Sequence, residues 1–434
     1  MNKKYNYIII GGGISGLHLG ALLSQHGKVL ILEKLNILGG RARVSIIDGF
    51  KLDFGPHPIR FGPESALGTS LLEINKSLNF IKPGKSWAFL KDGKQMLFPT
   101  GGLMNIIRSK MVPFIETLKL LLSIKKMEPN DFYELYDVSL EDWLKEEKLS
   151  NKTQKFLLMT SSAMQVNPFP ERSSVGELMH NIKRVLEIGS VYYPSGGWNS
   201  IFSKFIDKIR ENGGEIKLNS EVKKILVEDN ICKGVEVNGN KIIGDHIIST
   251  IPVQNLFTIL NENLCEKEFV KKCKELRPTA GLSIDFCLDK AVSDIDGLIF
   301  FEDPLGFGFI PSNLSAEVAP EGKSLMTFLR VANFEVIKNK NKAEELYKGF
   351  RESILNIFPE IENHIIHERF LFLEMVDGVE VNTNQHQFNR PGNKIKGLQN
   401  LWLAGDSVGG EGAGGDIGHT SVRKCYKKIL ETTE

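Results

Sequence analysis

The chain has 434 residues, enough for two domains or for one large domain carrying insertions. Its 54 basic and 53 acidic residues leave a net charge of +1, which excludes the strongly basic surface a nucleic-acid binder needs. The five cysteines, Cys232, Cys265, Cys273, Cys287 and Cys425, form no C-x-x-C and no cluster with histidine at metal spacing, so reduced thiols in a cytoplasmic protein are expected, with no metal.

In chain order, Tyr5 to Ile10 is rich in aromatic and β-branched residues and stops at Gly11, as a buried parallel strand should. Lys3 and Lys4 before an apolar run imitate a signal peptide, but the glycines that follow belong to a nucleotide site and no cleaved leader is expected. Gly11, Gly13 and Gly16 spell G-x-G-x-x-G, with Ile14 and Ser15 between the second and third. The first glycine allows the tight turn, the second admits a pyrophosphate to the backbone, and the third lets the following helix pack on the strand. That helix aims its unpaired N–H groups at the pyrophosphate. Val29 to Leu32 forms a second strand, and Glu33 stands at its end, twenty positions after Gly13, where a carboxylate accepts ribose hydroxyls. Lys34 follows it.

A second glycine turn comes next, Leu38-Gly39-Gly40-Arg41-Ala42-Arg43, then a hairpin with Asp48-Gly49 at its tip and the stretch Lys51 to Pro58. A plain nicotinamide dehydrogenase would continue into another strand-helix unit here, whereas Arg41 past a paired glycine is placed to meet phosphate or flavin oxygens. The combination GGGISGL, ILEK, GGRAR and DFGPHP resembles the flavin-dependent amine oxidase superfamily, which includes monoamine oxidases, protoporphyrinogen oxidases and bacterial phytoene desaturases. The resemblance implies FAD, bound extended; with no cysteine just before Gly405-Asp406 or in the glycine turn after it, non-covalent binding of the cofactor is expected. Its adenosine lies on Glu33 beside Lys34 and its pyrophosphate on Gly11 to Gly16, near Gly40 and Arg41; Gly55, Pro56 and His57 are among its contacts.

Trp87 to Pro99 reads as a hairpin turning at Asp92-Gly93. From Gly102 to about Glu147 the pattern is helical, and the stripe through Met111, Phe114, Ile115, Leu118, Leu121 and Leu122 ends in Lys125 and Lys126. Such a stripe faces a core or lies on a membrane, and residues 110–126 carry the expectation of a peripheral membrane contact. No run reaches the roughly eighteen apolar residues a span needs. Helices continue to Ile188 with a break at Asn167-Pro168-Phe169-Pro170. A helix from Asn199 to Glu211 and a β-meander around Val222 to Thr250 follow; the resemblance implies that the Val222 backbone touches adenine. Residues 257 to 388 alternate strands (280–288, 324–331, 366–374) with a helix near 342–357. The chain then ends in a strand reaching Gly405-Asp406, a glycine-rich turn from Gly409 to Gly415, and a helix from Asp416 to Leu430. A strand-end aspartate beside a glycine turn binds a ribityl hydroxyl or the pyrophosphate, and the resemblance carries Asp406, Asp416 and Ile417 into the FAD site.

The expected fold class is α/β, a Rossmann-like FAD-binding domain of glutathione-reductase type (1–85, 190–255 and 390–434) with an inserted α+β substrate domain (86–189 and 256–389). The expected function is an FAD-dependent oxidoreductase that removes hydrogen from a lipophilic, isoprenoid or carotenoid-like small molecule. A protoporphyrinogen oxidase-like or amine oxidase-like flavoenzyme is the runner-up, and an FAD-binding protein without net turnover is the reading of a different class. Gly414 to His419 lacks the aromatic residue that monoamine oxidases place there, and Cys425 lies too far along the last helix to attach a flavin. His57, Arg60 and His419 lie in stretches able to face the flavin, but no residue is assigned to catalysis.

Overall fold

The computed structural model describes residues 4–99, 108–189 and 191–432, so residues 102–107 of the expected helical stretch lie outside it. The first sheet grows around β1 (Tyr5–Ile10), where every residue but Asn6 is buried. The crossover helix α1 (Ile14–Leu23) returns the chain to β2 (Val29–Leu32), which runs parallel to β1. β3 (Glu215–Lys217) extends the sheet beyond β2, and β4 (Asn240–Ser249) lies parallel on the other side of β1. The first half of β4 closes an antiparallel meander with Ile231–Val237 and Val222–Glu228, turning at Asn238 and Gly239, both at positive φ. Its second half pairs in parallel with β5 (Leu401–Leu403), so the last strand of the chain stands next but one to the first.

α1 is largely apolar because it is covered from Gly16 onward: Leu17, Leu19, Ala21, Leu22 and Leu23 are fully buried. Its close seating depends on Gly16, since a Cβ there would stand 2.0 Å from the carbonyl oxygen of Gly11. Gly11 itself sits at φ +106°, a conformation only glycine adopts without strain.

The second sheet takes the strands Ile365–Leu373, Ala280–Leu288, Ser324–Ala332, Leu305–Phe309, Ile299–Glu302, Ser86–Phe89 and Gln95–Phe98 in that spatial order. All nine residues of its second strand, Ala280–Leu288, which is paired on both sides, are buried. The helix Lys340–Ile357 packs on one face, with Phe350 and Ile354 at no exposure. The short strands at 299–302 and 305–309 are not expected from sequence; strands of four and five residues on either side of a tight turn carry too little periodicity to declare themselves.

A helical lobe covers the mouth between the sheets. It contains α2 (Phe114–Lys126), α3 (Asn151–Met164) and α4 (Val175–Glu187), with shorter helices at 129–135 and 140–147. Ser139, Ser150 and Ser174 each cap a helix by accepting from the backbone N–H three residues on. The break at Asn167 has a cause: its amide nitrogen donates to the Val381 carbonyl and its oxygen accepts from the Phe169 N–H. Among the described residues no helix is long and apolar enough to cross a membrane. Behind the sheet, α5 (Trp198–Glu211) and α6 (Gly415–Leu430) pack on opposite flanks of α1.

Because the α1–β1 contact leaves no room for a methyl group, Gly16→Ala should cost about 1–3 kcal/mol, read as a lowered urea midpoint. Gly213→Ala lies in open space but at φ +75°, and should cost less than Gly16→Ala.

Candidate active site

The two glycine turns of the amino-terminal third stack on one another. The Gly39 N–H donates to the Gly12 carbonyl, and a Cβ on Gly40 would stand 3.1 Å from the Cα of Gly13. Gly13 precedes α1 and has no side chain to cap it, so the first-turn N–H groups of Ile14, Ser15 and Gly16 face the turn. Glu33 is buried beside them. One carboxylate oxygen accepts from the Gly12 N–H at 2.7 Å and the other from Leu35 at 2.9 Å, which fixes the group while leaving lone pairs on both oxygens. Its backbone is held by Lys217 and Ser220, bringing Val222, buried at the start of the meander, to the same end of the sheet. Lys34 is exposed.

Arg41 and Asp406 meet across the chain. The two guanidinium nitrogens stand 2.6 and 2.5 Å from the two carboxylate oxygens, a bidentate pair between the second glycine turn and the end of β5. Sequence reading aimed both residues at the cofactor separately and did not foresee that they join. Arg41 also donates to the Val376 carbonyl, and Asp406 accepts from the Gly378 N–H at 2.7 Å. Burial pushes the Asp406 carboxyl up, but Arg41 and the backbone donors outweigh it and hold the group below its ordinary value. Nearby, a Cβ on Gly418 would stand 3.2 Å from the Ser15 hydroxyl, so α6 touches the first turn of α1.

The carboxy-terminal glycine turn is braced from below by Arg390 and Glu177, an ion pair 3.0 Å long with neither side chain exposed. Arg390 also donates to the carbonyls of Gln385 and Gly410, and Glu177 accepts from the Gln387 N–H. α6 then begins after Gly414 with no side-chain cap. Asp416 pairs with Arg184 of α4 at 3.0 Å, and Ile417 is fully buried.

Between these turns and the helical lobe lies one large cavity. Gly55, Pro56, His57, Gly414, Gly415 and Asp416 form its floor, and apolar side chains of α2, α3, α4 and the second sheet form its walls. The charged groups on it are few. Arg60 bonds to the Met164 carbonyl and Asn181, and Asp377 lies opposite Gly414. Burial lowers the imidazoles of His57 and His419 to about 4, so both are neutral near pH 7. His57 Nδ1 is 2.6 Å from the Gly55 carbonyl, and His419 Nδ1 is 3.1 Å from Nδ1 of buried His18.

The model of the flavin-containing amine oxidoreductase family matches residues 14–419. The chain belongs to that family. It is 26% identical to an uncharacterised protein of Methanocaldococcus jannaschii over 363 residues, 83% of this chain and 84% of that one. It is 25% identical to the 15-cis-phytoene desaturase of Capsicum annuum over 384 residues, 82% of this chain and 65% of that one, so it spans less than two thirds of the plant protein. An oxidoreductase structure from Methanosarcina mazei matches 99% of this chain and 100% of its own, with a TM-score of 0.82 at 23% identity, which speaks for the fold.

As a member of the flavin-containing amine oxidoreductases, the protein is an FAD-dependent oxidoreductase. The residues fit such a group: two glycine turns stacked without side chains, an uncapped helix end and a fixed buried carboxylate form a cradle, and a Cβ at Gly12 would displace its parts, standing 2.6 Å from Leu38 and 2.9 Å from the Cβ of Glu33. The thiol of Cys425, buried on α6, is pushed up to about 12 and is unreactive. Sequence reasoning did not single out Asp377, Arg184 or the Glu177–Arg390 brace, for each acquires meaning only from partners in other stretches of the chain: Asp416 lies 232 positions from Arg184, Arg390 lies 213 from Glu177, and Thr279 lies 98 from Asp377.

Removing one member of the buried brace strands the other. Arg390→Met should therefore cost about 3–5 kcal/mol in urea denaturation, and Glu177→Gln less, because it leaves a neutral hydrogen-bonding group.

Proposed function

We propose that the enzyme dehydrogenates a lipophilic, isoprenoid-like polyene, with FAD lying from Glu33 to the floor of the cavity. The observation that carries this reading is the cavity itself: a floor of glycine turns and walls lined mainly by apolar side chains. In this reading Glu33 holds the adenosine ribose, with the Val222 backbone at the adenine and Lys34 at the rim. Gly11, Gly13, Ile14, Ser15 and Gly16 receive the pyrophosphate together with Gly40, Arg41 and Asp406. Gly55, Pro56, His57, Asp416 and Ile417 border the flavin. When bound, FAD supplies a two-electron acceptor. The chain's own groups exclude water and hold a hydrocarbon chain against the floor.

The wall formed by α2 supports a lipid source. Thr117, Leu120, Leu121 and Ile124 face the cavity, while Phe114, Ile115, Leu118 and Leu122 are exposed on the outside, with Lys125 and Lys126 at the helix end. A helix apolar on both faces suits a bilayer surface outside and a hydrocarbon substrate inside. The relation to a phytoene desaturase agrees with that substrate class.

Anaerobic mixing of the yellow holoenzyme with a carotenoid precursor in detergent should bleach the flavin bands. Bleaching by a primary amine or a porphyrinogen, with the precursor inert, would replace this reading with the amine oxidase or protoporphyrinogen oxidase one. Ala163→Trp, which narrows the wall, should slow bleaching by the precursor at least tenfold and leave the oxidised spectrum intact. In co-sedimentation with anionic vesicles, Ile115→Glu/Leu118→Glu should lower the bound fraction severalfold.

A further inference from the structure

Of the carboxylates on the cavity among the described residues, Asp377 and Asp416, the second is already taken. Asp416 is held by Arg184 at 3.0 Å. Asp377 makes no ion pair within 4 Å among the described residues. Its position is nonetheless fixed by its backbone: the N–H donates to the Thr279 hydroxyl at 2.8 Å, and the carbonyl accepts from the Thr279 N–H at 3.2 Å. The neighbours on either side belong to the Arg41–Asp406 joint, Val376 through its carbonyl and Gly378 through its N–H. A Cβ on Gly414 would stand 3.8 Å from both oxygens of Asp377, so the carboxyl group faces the start of α6 across the cavity floor. It is thus a rigidly mounted oxygen acid at the one end of an apolar cavity where the glycine turns converge.

We propose that Asp377 is the proton acceptor of the dehydrogenation. The inference rests on the polyene reading given above. Forming a carbon–carbon double bond removes two hydrogens. One leaves its carbon with both bonding electrons, as hydride to FAD. The other leaves the neighbouring carbon as a proton to an Asp377 carboxylate oxygen, and its bonding pair becomes the new π bond. Asp377 ends as the neutral acid and returns its proton to solvent before the next cycle.

The electrostatics suit the task. Burial, then the nearby Asp406, push the Asp377 carboxyl up to about 7, against the pull of Arg41, Arg60 and the Thr279 hydrogen bond. A base with that value is ionised half the time near neutrality and strong enough to take a proton there. Asp416 is taken by Arg184, and the remaining titratable groups on the floor, His57 and His419, are already neutral and weaker bases by about three orders of magnitude.

The test uses FAD-loaded wild type, Asp377→Asn and Asp377→Glu, all expected to bind one FAD per chain. The folded state holds the Asp377 proton up to about pH 7, whereas the unfolded chain releases it near 4. Wild-type stability should therefore fall relative to Asp377→Asn as pH rises from 4 to 7, with the two melting curves coincident at pH 4 and the variant higher at pH 8. In stopped-flow bleaching by the precursor, the wild-type rate should rise through a midpoint near pH 7. Asp377→Asn should be slower by about 10²–10⁴-fold with that rise abolished, and Asp377→Glu should recover part of the rate and the pH dependence. Wild-type bleaching that Asp377→Asn matches in rate and pH profile overturns this proposal alone. A wild-type flavin that no polyene bleaches overturns the substrate reading, and the proposal with it.

Discussion

The structure turns on the bidentate bond between Arg41 and Asp406. The two residues are 365 positions apart, one in the turn after the second strand and one at the end of the last. Their contact follows from topology: β4 takes β1 on one side and β5 on the other, so the ends of β1 and β5 and the turns that follow them open toward the same crevice. Ligand sites in open parallel sheets lie at such carboxyl ends. The loop at Val376 to Gly378 fastens both partners from the side of the second sheet, and thereby ties the position of Asp377 to the same joint.

Around that joint the charges are arranged economically. Arg184 holds Asp416, Arg390 holds Glu177, and Arg369 holds Asp285 against the second sheet at 2.8 Å. Each pair crosses between elements distant in sequence and replaces hydration lost on burial. The histidines of the region, His18, His57 and His419, are depressed by burial and stay uncharged. The cavity therefore presents a largely uncharged, apolar interior in which one carboxyl group near its own midpoint stands out. In such surroundings a single proton transfer is felt strongly, because little water is present to screen it.

Much of this was legible in the residues. G-x-G-x-x-G after a buried strand, an acid twenty positions on, and Gly-Asp before a final helix are local patterns whose chemistry needs no partner, and they led to FAD and to the α/β fold. The strands at 280–288 and 324–332 and the helix at 340–357 also declared themselves, the strands by stretches rich in apolar residues and the helix by its period. What stayed hidden was pairing. Arg41 and Asp406 were each read as a ligand of the cofactor, and nothing near either announces the other. Asp377 lies in an unremarkable Val-Asp-Gly and gains its character from Asp406, Thr279 and Gly414, none adjacent to it in the chain. The α2 stripe posed a choice between core and membrane because both of its faces are apolar, one toward the cavity and one outward.

In the proposed FAD site the two ends of the chain are joined through the Arg41–Asp406 pair. The most direct test is a double-mutant cycle on FAD affinity, measured by fluorescence quenching with Arg41→Met, Asp406→Asn and the double variant. Each single change should weaken FAD binding, and the double variant should be about as weak as the worse single one, since either change already breaks the joint. Losses that simply add, or FAD bound undiminished by all three variants, would contradict it.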